Sequence, residues 1–516
     1  MLEVKNLSIM LQYSKLPAQK IINNINFSIA SGEVVALIGE SGSGKTITAL
    51  SLLRLLARNF GYSAASQIVL RGTDLLNIPE HAMRKIRGSD IAMIFQDPMT
   101  SLNPVLTVGA QVLEVLQLHR GIKGKSAYLE VMRLFEAVQL INPERQFYCY
   151  PHELSGGMQQ RIMIAMSLAC KPSLLIADEP TTALDVTTQA QILTLLKELQ
   201  QQEKMAMLLI THDLAVASQL ADSIVVMKSG AIVEHASCRK FFAGPRHLYS
   251  QQLLNAVPKL IIKDALVPLN AATTIMKVTG LKVYFPIKSG LLRRCVGYIK
   301  AVDSVDFELQ SGKTLAIVGE SGSGKTTLAK AIVGLIPQIQ GSIQYIGDWH
   351  RKHSDLQIVF QNPYSALNPK LRIIDSFKDG IGITDAKIDT LLQDVGLQPE
   401  YKWRYPHEFS GGERQRLCIA RTLTVDPKVI ICDEPTSSLD VSVQAQILKL
   451  LLALQAQHNI AYLFISHDLK VVSAMAHNIA VMYAGKIVEY GATHEVLQNP
   501  QHAYTKKLIA AVPHIN

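Results

Sequence analysis

Nothing in this 516-residue chain approaches the roughly 18 consecutive apolar residues that a membrane-crossing helix needs, so any membrane role is expected to run through partners. Its six cysteines, at 149, 170, 238, 295, 418 and 432, stand singly, with no C-x-x-C pair. That spacing argues against a zinc or iron–sulfur centre and for reduced thiols, mostly small core residues of a cytosolic protein. The opening residues, Met-Leu-Glu-Val-Lys, read as neither a signal peptide nor a transit peptide. Also missing is any run of five like charges: 51 basic against 42 acidic residues leave +9, and the densest basic cluster, Lys288 to Arg294, is too short to be an arm. The excess reads as charge scattered over a solvated surface, and no nucleic-acid partner is expected.

What is present is an octapeptide that occurs twice. Gly39, Glu40, Ser41, Gly42, Ser43, Gly44, Lys45 and Thr46 return letter for letter as Gly319, Glu320, Ser321, Gly322, Ser323, Gly324, Lys325 and Thr326. Each copy fits the phosphate-binding loop G-x-x-x-x-G-K-[ST], and each follows a short apolar run, Val34 to Ile38 or Leu315 to Val318, that reads as a buried parallel strand. Glycines let consecutive backbone N–H groups turn inward around a triphosphate, and the helix that follows adds the positive end of its dipole. Lys45 and Lys325 are then expected at the β- and γ-phosphates, and the hydroxyls of Thr46 and Thr326 at Mg²⁺.

A whole series of motifs recurs in the same order, so the chain reads as a duplication. Phe95-Gln96-Asp97-Pro98 returns as Phe360-Gln361-Asn362-Pro363, each followed by Leu-Asn-Pro. Leu154-Ser155-Gly156-Gly157 returns as Phe409-Ser410-Gly411-Gly412, and strands ending in Asp178-Glu179-Pro180 and Asp433-Glu434-Pro435 precede Thr211-His212-Asp213 and Ser466-His467-Asp468. The paired lysines lie 280 residues apart, the glutamines 265, and the serines, glutamates and histidines 255. The second half has therefore lost 15 residues before the glutamine and 10 more before the Ser-Gly-Gly motif, after which the spacing is fixed. A tail, Pro-x-His-x-Tyr followed by Ala-Val-Pro, closes each half at Pro245 to Pro258 and Pro500 to Pro513. The expected domains are 1–258 and 275–516, joined by a connector at 259–274, each an α/β unit of alternating strands and amphipathic helices.

Asp178 and Asp433, at strand ends, are candidates for holding Mg²⁺, and Glu179 and Glu434 for polarising the attacking water. His212 and His467 follow apolar strands in the same register and are expected to meet the γ-phosphate.

With these residues in view, the sequence resembles the ATP-binding subunits of ABC transporters along essentially its whole length. The Ser-Gly-Gly-x-x-Gln-Arg signature is the most specific motif. The resemblance implies two tandem P-loop nucleotide-binding domains, each a RecA-like α/β core with an α-helical subdomain, the latter at Asp97 to Glu153 and Asn362 to Glu408. It also implies two ATPs sandwiched head to tail. Gly39 to Thr46, Gln96, Asp178, Glu179 and His212 would join Ser410, Gly411 and Gly412, while Gly319 to Thr326, Gln361, Asp433, Glu434 and His467 would join Ser155, Gly156 and Gly157. Gln96 and Gln361 count among both the metal and the catalytic groups, and Asp185 and Asp440 would couple the sites.

Within that family, the Leu-Asn-Pro and Pro-x-His-x-Tyr motifs look like the dipeptide, oligopeptide and nickel importer group, and the fusion most resembles the ATPases of microcin C and related peptide transporters. The resemblance implies peptide import with two integral-membrane permeases and a periplasmic binding protein, at the cytoplasmic face of the inner membrane. The alternatives are a tandem ATPase acting on ribosomes or nucleic acid, and a sugar-importer ATPase. The chain departs from the pattern where Met158-Gln159 stands against Glu413-Arg414, and where Leu11, with Tyr13 as a substitute, answers the adenine-stacking Phe285. The cysteine-rich tail of some relatives is absent.

Overall fold

The computed structural model describes residues 1–12, 17–182, 184–257, 273–289, 294–337, 339–349, 352–379, 382–437 and 439–512. The chain divides into two compact units, the first built from Met1–Leu184 and Thr188–Val257, the second following Val257 and running to Val512.

The first unit is organised on a six-stranded sheet in the order Ala231–Ser237, Ser223–Lys228, Val34–Ile38, Ala206–Thr211, Leu174–Asp178, Ile91–Ile94. All neighbours are parallel except the edge strand Ala231–Ser237. Its central strands are buried at every residue because both faces are covered, and the alternation of side chains decides what each residue meets. Leu175 and Ala177 pack with Val112, Phe135 and Ile162 of the helical part, while Leu174 and Ile176 pack with Leu7, Ile25 and Leu52 on the opposite face. That opposite face carries an antiparallel sheet, Gln19–Ile29, Leu2–Leu11, Gln67–Leu70 and Thr73–Asp74, with Phe60–Tyr62 also paired to Leu2–Leu11.

The second unit repeats the plan. Its parallel sheet runs Leu356–Val359, Val429–Asp433, Ala461–Ser466, Thr314–Val318, Asn478–Tyr483, closed by the antiparallel edge Lys486–Ala492. The residues missing from the second half are visible in it. Its antiparallel sheet has only Arg294–Gln310, Thr274–Ser289 and Gln340–Tyr345 among the described residues, and helix Val108–Arg120 of the first unit is answered by the shorter Ile373–Lys378. A long helix follows the acidic strand in each unit, Val186–Glu203 after Leu174–Asp178 and Val441–His458 after Val429–Asp433.

Of the connector expected at 259–274, only Thr273 and Thr274 are described, and Thr274 opens the strand Thr274–Ser289. The cysteines depart from expectation: all six are free thiols, but only Cys418 and Cys432 are core residues, Cys149, Cys170 and Cys238 are half-buried, and Cys295 is exposed on a hairpin strand. Single spacing says nothing about burial, and these four sit in helix ends, a turn and an edge hairpin. No described helix is long and apolar enough to cross a membrane.

Candidate functional site

Each octapeptide links the carboxyl end of a central parallel strand to a helix, Lys45–Leu52 or Lys325–Val333. Gly44 and Gly324 cap those helices in the left-handed region, at φ 101° and 106°. A Cβ at Gly324 would stand 2.0 Å from the carbonyl of Ala301, and one at Gly44 would stand 2.5 Å from Ile22 Cδ1. The left-handed backbone favours glycine at both positions, and at Gly324 the carbonyl leaves no room for a side chain as well. Lys45 is buried, and its Nζ donates to the carbonyls of Gly39 at 2.7 Å and Glu40 at 2.9 Å; Lys325 repeats both bonds at 2.8 Å. Inside each loop one polar atom is orphaned: Ser43 Oγ and Ser323 Oγ are buried with no hydrogen-bond partner. A glycine-lined turn at a helix start, with a buried ammonium and an unsatisfied hydroxyl, fits a phosphate group.

The acidic pair divides its work. Asp178 lies almost wholly buried at its strand end, with Thr46 Oγ1 donating to it at 3.4 Å, and Thr326 Oγ1 donates to Asp433 at 3.2 Å. Burial pushes the Asp178 carboxyl up to about 6 and raises Asp433 in the same direction. A carboxylate and a hydroxyl held together out of water are the hard oxygen donors that suit Mg²⁺.

Glu179 behaves oppositely. Burial opposes its ionisation, but the hydrogen bond and charge of His212, helped by Thr182 and Lys45, outweigh burial and hold it at about 2. Its two oxygens are both engaged: Oε1 meets His212 Nδ1 at 2.9 Å, and Oε2 accepts from Gln96 Nε2 at 2.8 Å and Thr182 Oγ1 at 2.9 Å. In the second unit His467 Nδ1 lies 3.1 Å from Glu434 Oε1 and Gln361 Nε2 donates to Oε2 at 3.0 Å. Glu434 is likewise held low against burial by His467, and that bond raises His467 although burial opposes its charge.

Thus the structure brings Thr46 to Asp178, and Gln96 and His212 to Glu179; the glutamine amides bond the glutamates, not the aspartates. Two features escaped the sequence reading. Glu179 and Glu434 both adopt φ 47°, a conformation rare for a residue with a Cβ and costing on the order of 1–3 kcal/mol. Thr182 supports the carboxylate of Glu179, while its counterpart Ser437 donates to the Glu434 carbonyl at 3.1 Å. A hydroxyl residue three positions after each glutamate was the available signal.

The signature serines start helices Gly156–Leu168 and Gly411–Leu423. Ser410 Oγ accepts from the Glu413 N–H at 3.3 Å and donates to the Glu413 carboxylate at 2.8 Å, while the Ser410 N–H donates to the same carboxylate at 2.9 Å. Ser155 Oγ accepts from the Met158 N–H at 3.4 Å, but Met158 has no carboxylate to reach back to the cap, and its sulfur accepts from Gln146 Nε2 instead. Position 159 is equivalent after all: Gln159 Nε2 donates to the Pro151 carbonyl at 2.7 Å, as Arg414 Nε does to Pro406 at 2.7 Å.

Phe285 is exposed on strand Thr274–Ser289, and Leu11 ends strand Leu2–Leu11, while Tyr13 lies outside the described residues. Asp185 accepts from Thr187 Oγ1 at 2.8 Å, and Asp440 occupies the N-cap of Val441–His458.

Comparison with known proteins shows the family. The ABC transporter family model matches residues 22–182 and 302–437, and the model for the oligopeptide/dipeptide transporter C-terminal region matches 233–277 and 488–516. The chain is 48% identical over 510 residues to the peptidoglycan transport ATP-binding protein YejF of Agrobacterium fabrum, covering 95% of this chain and 92% of that protein. It is 45% identical over 540 residues to the glutathione import ATP-binding protein GsiA of Salmonella paratyphi A, covering 95% and 86%. A solved dimeric bacterial ABC transporter cassette, MJ0796, matches at TM-score 0.42 with 28% identity over 46% of this chain and 99% of that one. The chain belongs to the ABC transporter family and is an ATPase of that family.

Proposed function

We propose that the chain energises import of peptides or peptide-like compounds through separate membrane permeases and a substrate-binding protein, working peripherally at the cytoplasmic face of the membrane. The observation that carries the ATPase part is the doubled set of phosphate-loop lysine, strand-end Asp-Glu and histidine, intact in both units. The peptide part is supported by the tails that match the oligopeptide/dipeptide transporter region and by the YejF and GsiA relatives.

In this reading Lys45 and Lys325 leave their loop carbonyls for the phosphates of ATP. Thr46 with Asp178, and Thr326 with Asp433, would hold Mg²⁺, with Gln96 and Gln361 beside them. When bound, that ion neutralises phosphate charge. Glu179 and Glu434, ionised and held on both oxygens, accept a proton from and orient the attacking water, while His212 and His467 fix those carboxylates and face the γ-phosphate. Phe285 stacks on adenine in the second half. Residues 1–258 and 275–516 act as the two catalytic domains, joined by 259–274.

Ser155, Gly156 and Gly157 are assigned to the loop at Gly319 to Thr326, and Ser410, Gly411 and Gly412 to the loop at Gly39 to Thr46, with Asp185 and Asp440 coupling the two sites. Lys45→Ala combined with Ser410→Ala should then leave one site working, whereas Lys45→Ala with Ser155→Ala should disable both. The reverse order of residual activity would overturn this pairing. For transport, ATP turnover in vesicles holding the permeases should rise when the peptide-loaded binding protein is added; stimulation by a sugar-loaded one instead would exclude the peptide reading.

A further inference from the structure

The tail that follows the catalytic core reaches back to the phosphate loop in both units. Its geometry is built in steps from the edge strand. Glu234 on strand Ala231–Ser237 accepts the backbone N–H groups of Arg246 at 2.7 Å and His247 at 3.1 Å, which fixes the turn before helix Leu248–Ala256. His247 Nδ1 accepts the N–H of Tyr249 at 3.1 Å, capping that helix. Tyr249 is thereby turned inward, 5% exposed, with Lys228 Nζ 4.6 Å from its ring centre, and its hydroxyl accepts the backbone N–H of Glu40 at 3.2 Å.

The second unit reproduces every hydrogen bond, with the ring of Tyr483 in place of the Lys228 ammonium beside the buried tyrosine. Glu489 accepts from Gln501 at 2.8 Å and His502 at 3.0 Å, His502 Nδ1 accepts from Tyr504 at 3.2 Å, and the Tyr504 hydroxyl accepts the N–H of Glu320 at 2.9 Å. The tails are offset by 255 residues and the loops by 280, so the contact persists although the chain between its two ends has changed length.

We propose that Tyr249 and Tyr504 are positioning residues for nucleotide binding, each holding its phosphate loop from the side opposite the lysine. The peptide group joining Gly39 to Glu40 is gripped at both ends: its carbonyl by Lys45 and its N–H by Tyr249. The group joining Gly319 to Glu320 is gripped in the same way by Lys325 and Tyr504. When the lysine turns to a phosphate, as the ATPase reading above requires, the carbonyl loses its partner and the tyrosine hydroxyl is what still fixes that peptide plane. The tail is thus part of the nucleotide site, and a partner that moved it would change ATP affinity.

The test is Tyr249→Phe with Tyr504→Phe in the full chain, which keeps both rings and removes only the hydroxyls. Mg-ATP is titrated in a Glu179→Gln/Glu434→Gln parent, so that binding is read without hydrolysis. The dissociation constant should rise about three- to tenfold, the order set by one hydrogen bond, while the thermal midpoint without nucleotide falls only by the few degrees that one lost hydrogen bond per unit costs. With the catalytic glutamates restored, KM should rise with kcat unchanged. An unchanged dissociation constant would overturn the proposal, and so would a lowered midpoint with unchanged affinity, which would leave the tyrosines a packing role alone. Single variants decide the matter if the double one fails to fold. A parent that binds no Mg-ATP would instead remove the nucleotide reading itself and the proposal with it.

Discussion

His212 Nδ1 lies 2.9 Å from Glu179 Oε1, and that bond is the largest influence lowering a carboxyl that burial pushes up. With the histidine in place Glu179 is held at about 2, below its ordinary 4.5. Replacing His212 by Ala removes the largest lowering influence and leaves burial, so the carboxyl should titrate higher. In a Glu434→Gln background, where this unit supplies the turnover, the acid limb of the rate profile of His212→Ala should move to higher pH. An acid limb unmoved by the substitution would separate the histidine from the glutamate.

The same linkage has a stability consequence. A depressed carboxylate stabilises the fold above its unfolded value and loses that contribution as pH falls toward its folded value. The difference in urea midpoint between the wild type and Glu179→Gln should hold steady from pH 7 to pH 5 and narrow between about 4.5 and about 2. A difference that closes above pH 5 would contradict it.

The signature helices predict an asymmetry that a single residue can correct. Glu413 returns the cap of Ser410, and Met158 returns nothing to Ser155, whereas Gln159 already makes the contact of Arg414. Met158→Glu alone should complete the capping box and stabilise the first unit by about 0.3–1.5 kcal/mol. In a Glu179→Gln background it should also raise turnover, and adding Gln159→Arg should give little more. Unchanged turnover would make position 158 neutral variation.

The glycines of the loop should not be equally replaceable. Gly42 meets nothing within 4 Å of an added Cβ, so Gly42→Ala carries only the cost of its φ of +77°, on the order of 1 kcal/mol. Gly324→Ala must push the Ala301 carbonyl away from a Cβ at 2.0 Å and should lower the thermal midpoint and nucleotide affinity far more. Equal effects would contradict the packing described.

Much of the candidate site was legible because the phosphate loop, the glutamine, the Asp-Glu pair and the histidine each follow a strand's carboxyl end, while the Ser-Gly-Gly serines cap helices. Apolar runs such as Leu174 to Ala177 announce a strand buried on both faces, and the residues after it then stand at the carboxyl ends of the strands, where ligands bind. The contacts made across the chain were not legible. Nothing in the spacing of Tyr249 and Glu40, 209 residues apart, says that they bond, because that depends on how a turn near Glu234 aims a helix. Left-handed glutamates and the partly exposed cysteines were hidden for a related reason: backbone conformation and burial follow from tertiary packing, which composition does not encode.

The central claim is that Glu179 and Glu434 perform the hydrolysis in two like sites. Its most direct measurement is steady-state ATP turnover of the Glu179→Gln/Glu434→Gln double variant beside a Mg-ATP titration of the same protein. Turnover should fall by about 10²- to 10⁴-fold, the usual worth of a positioned general base, with ATP binding retained. Turnover at the wild-type rate would contradict the account.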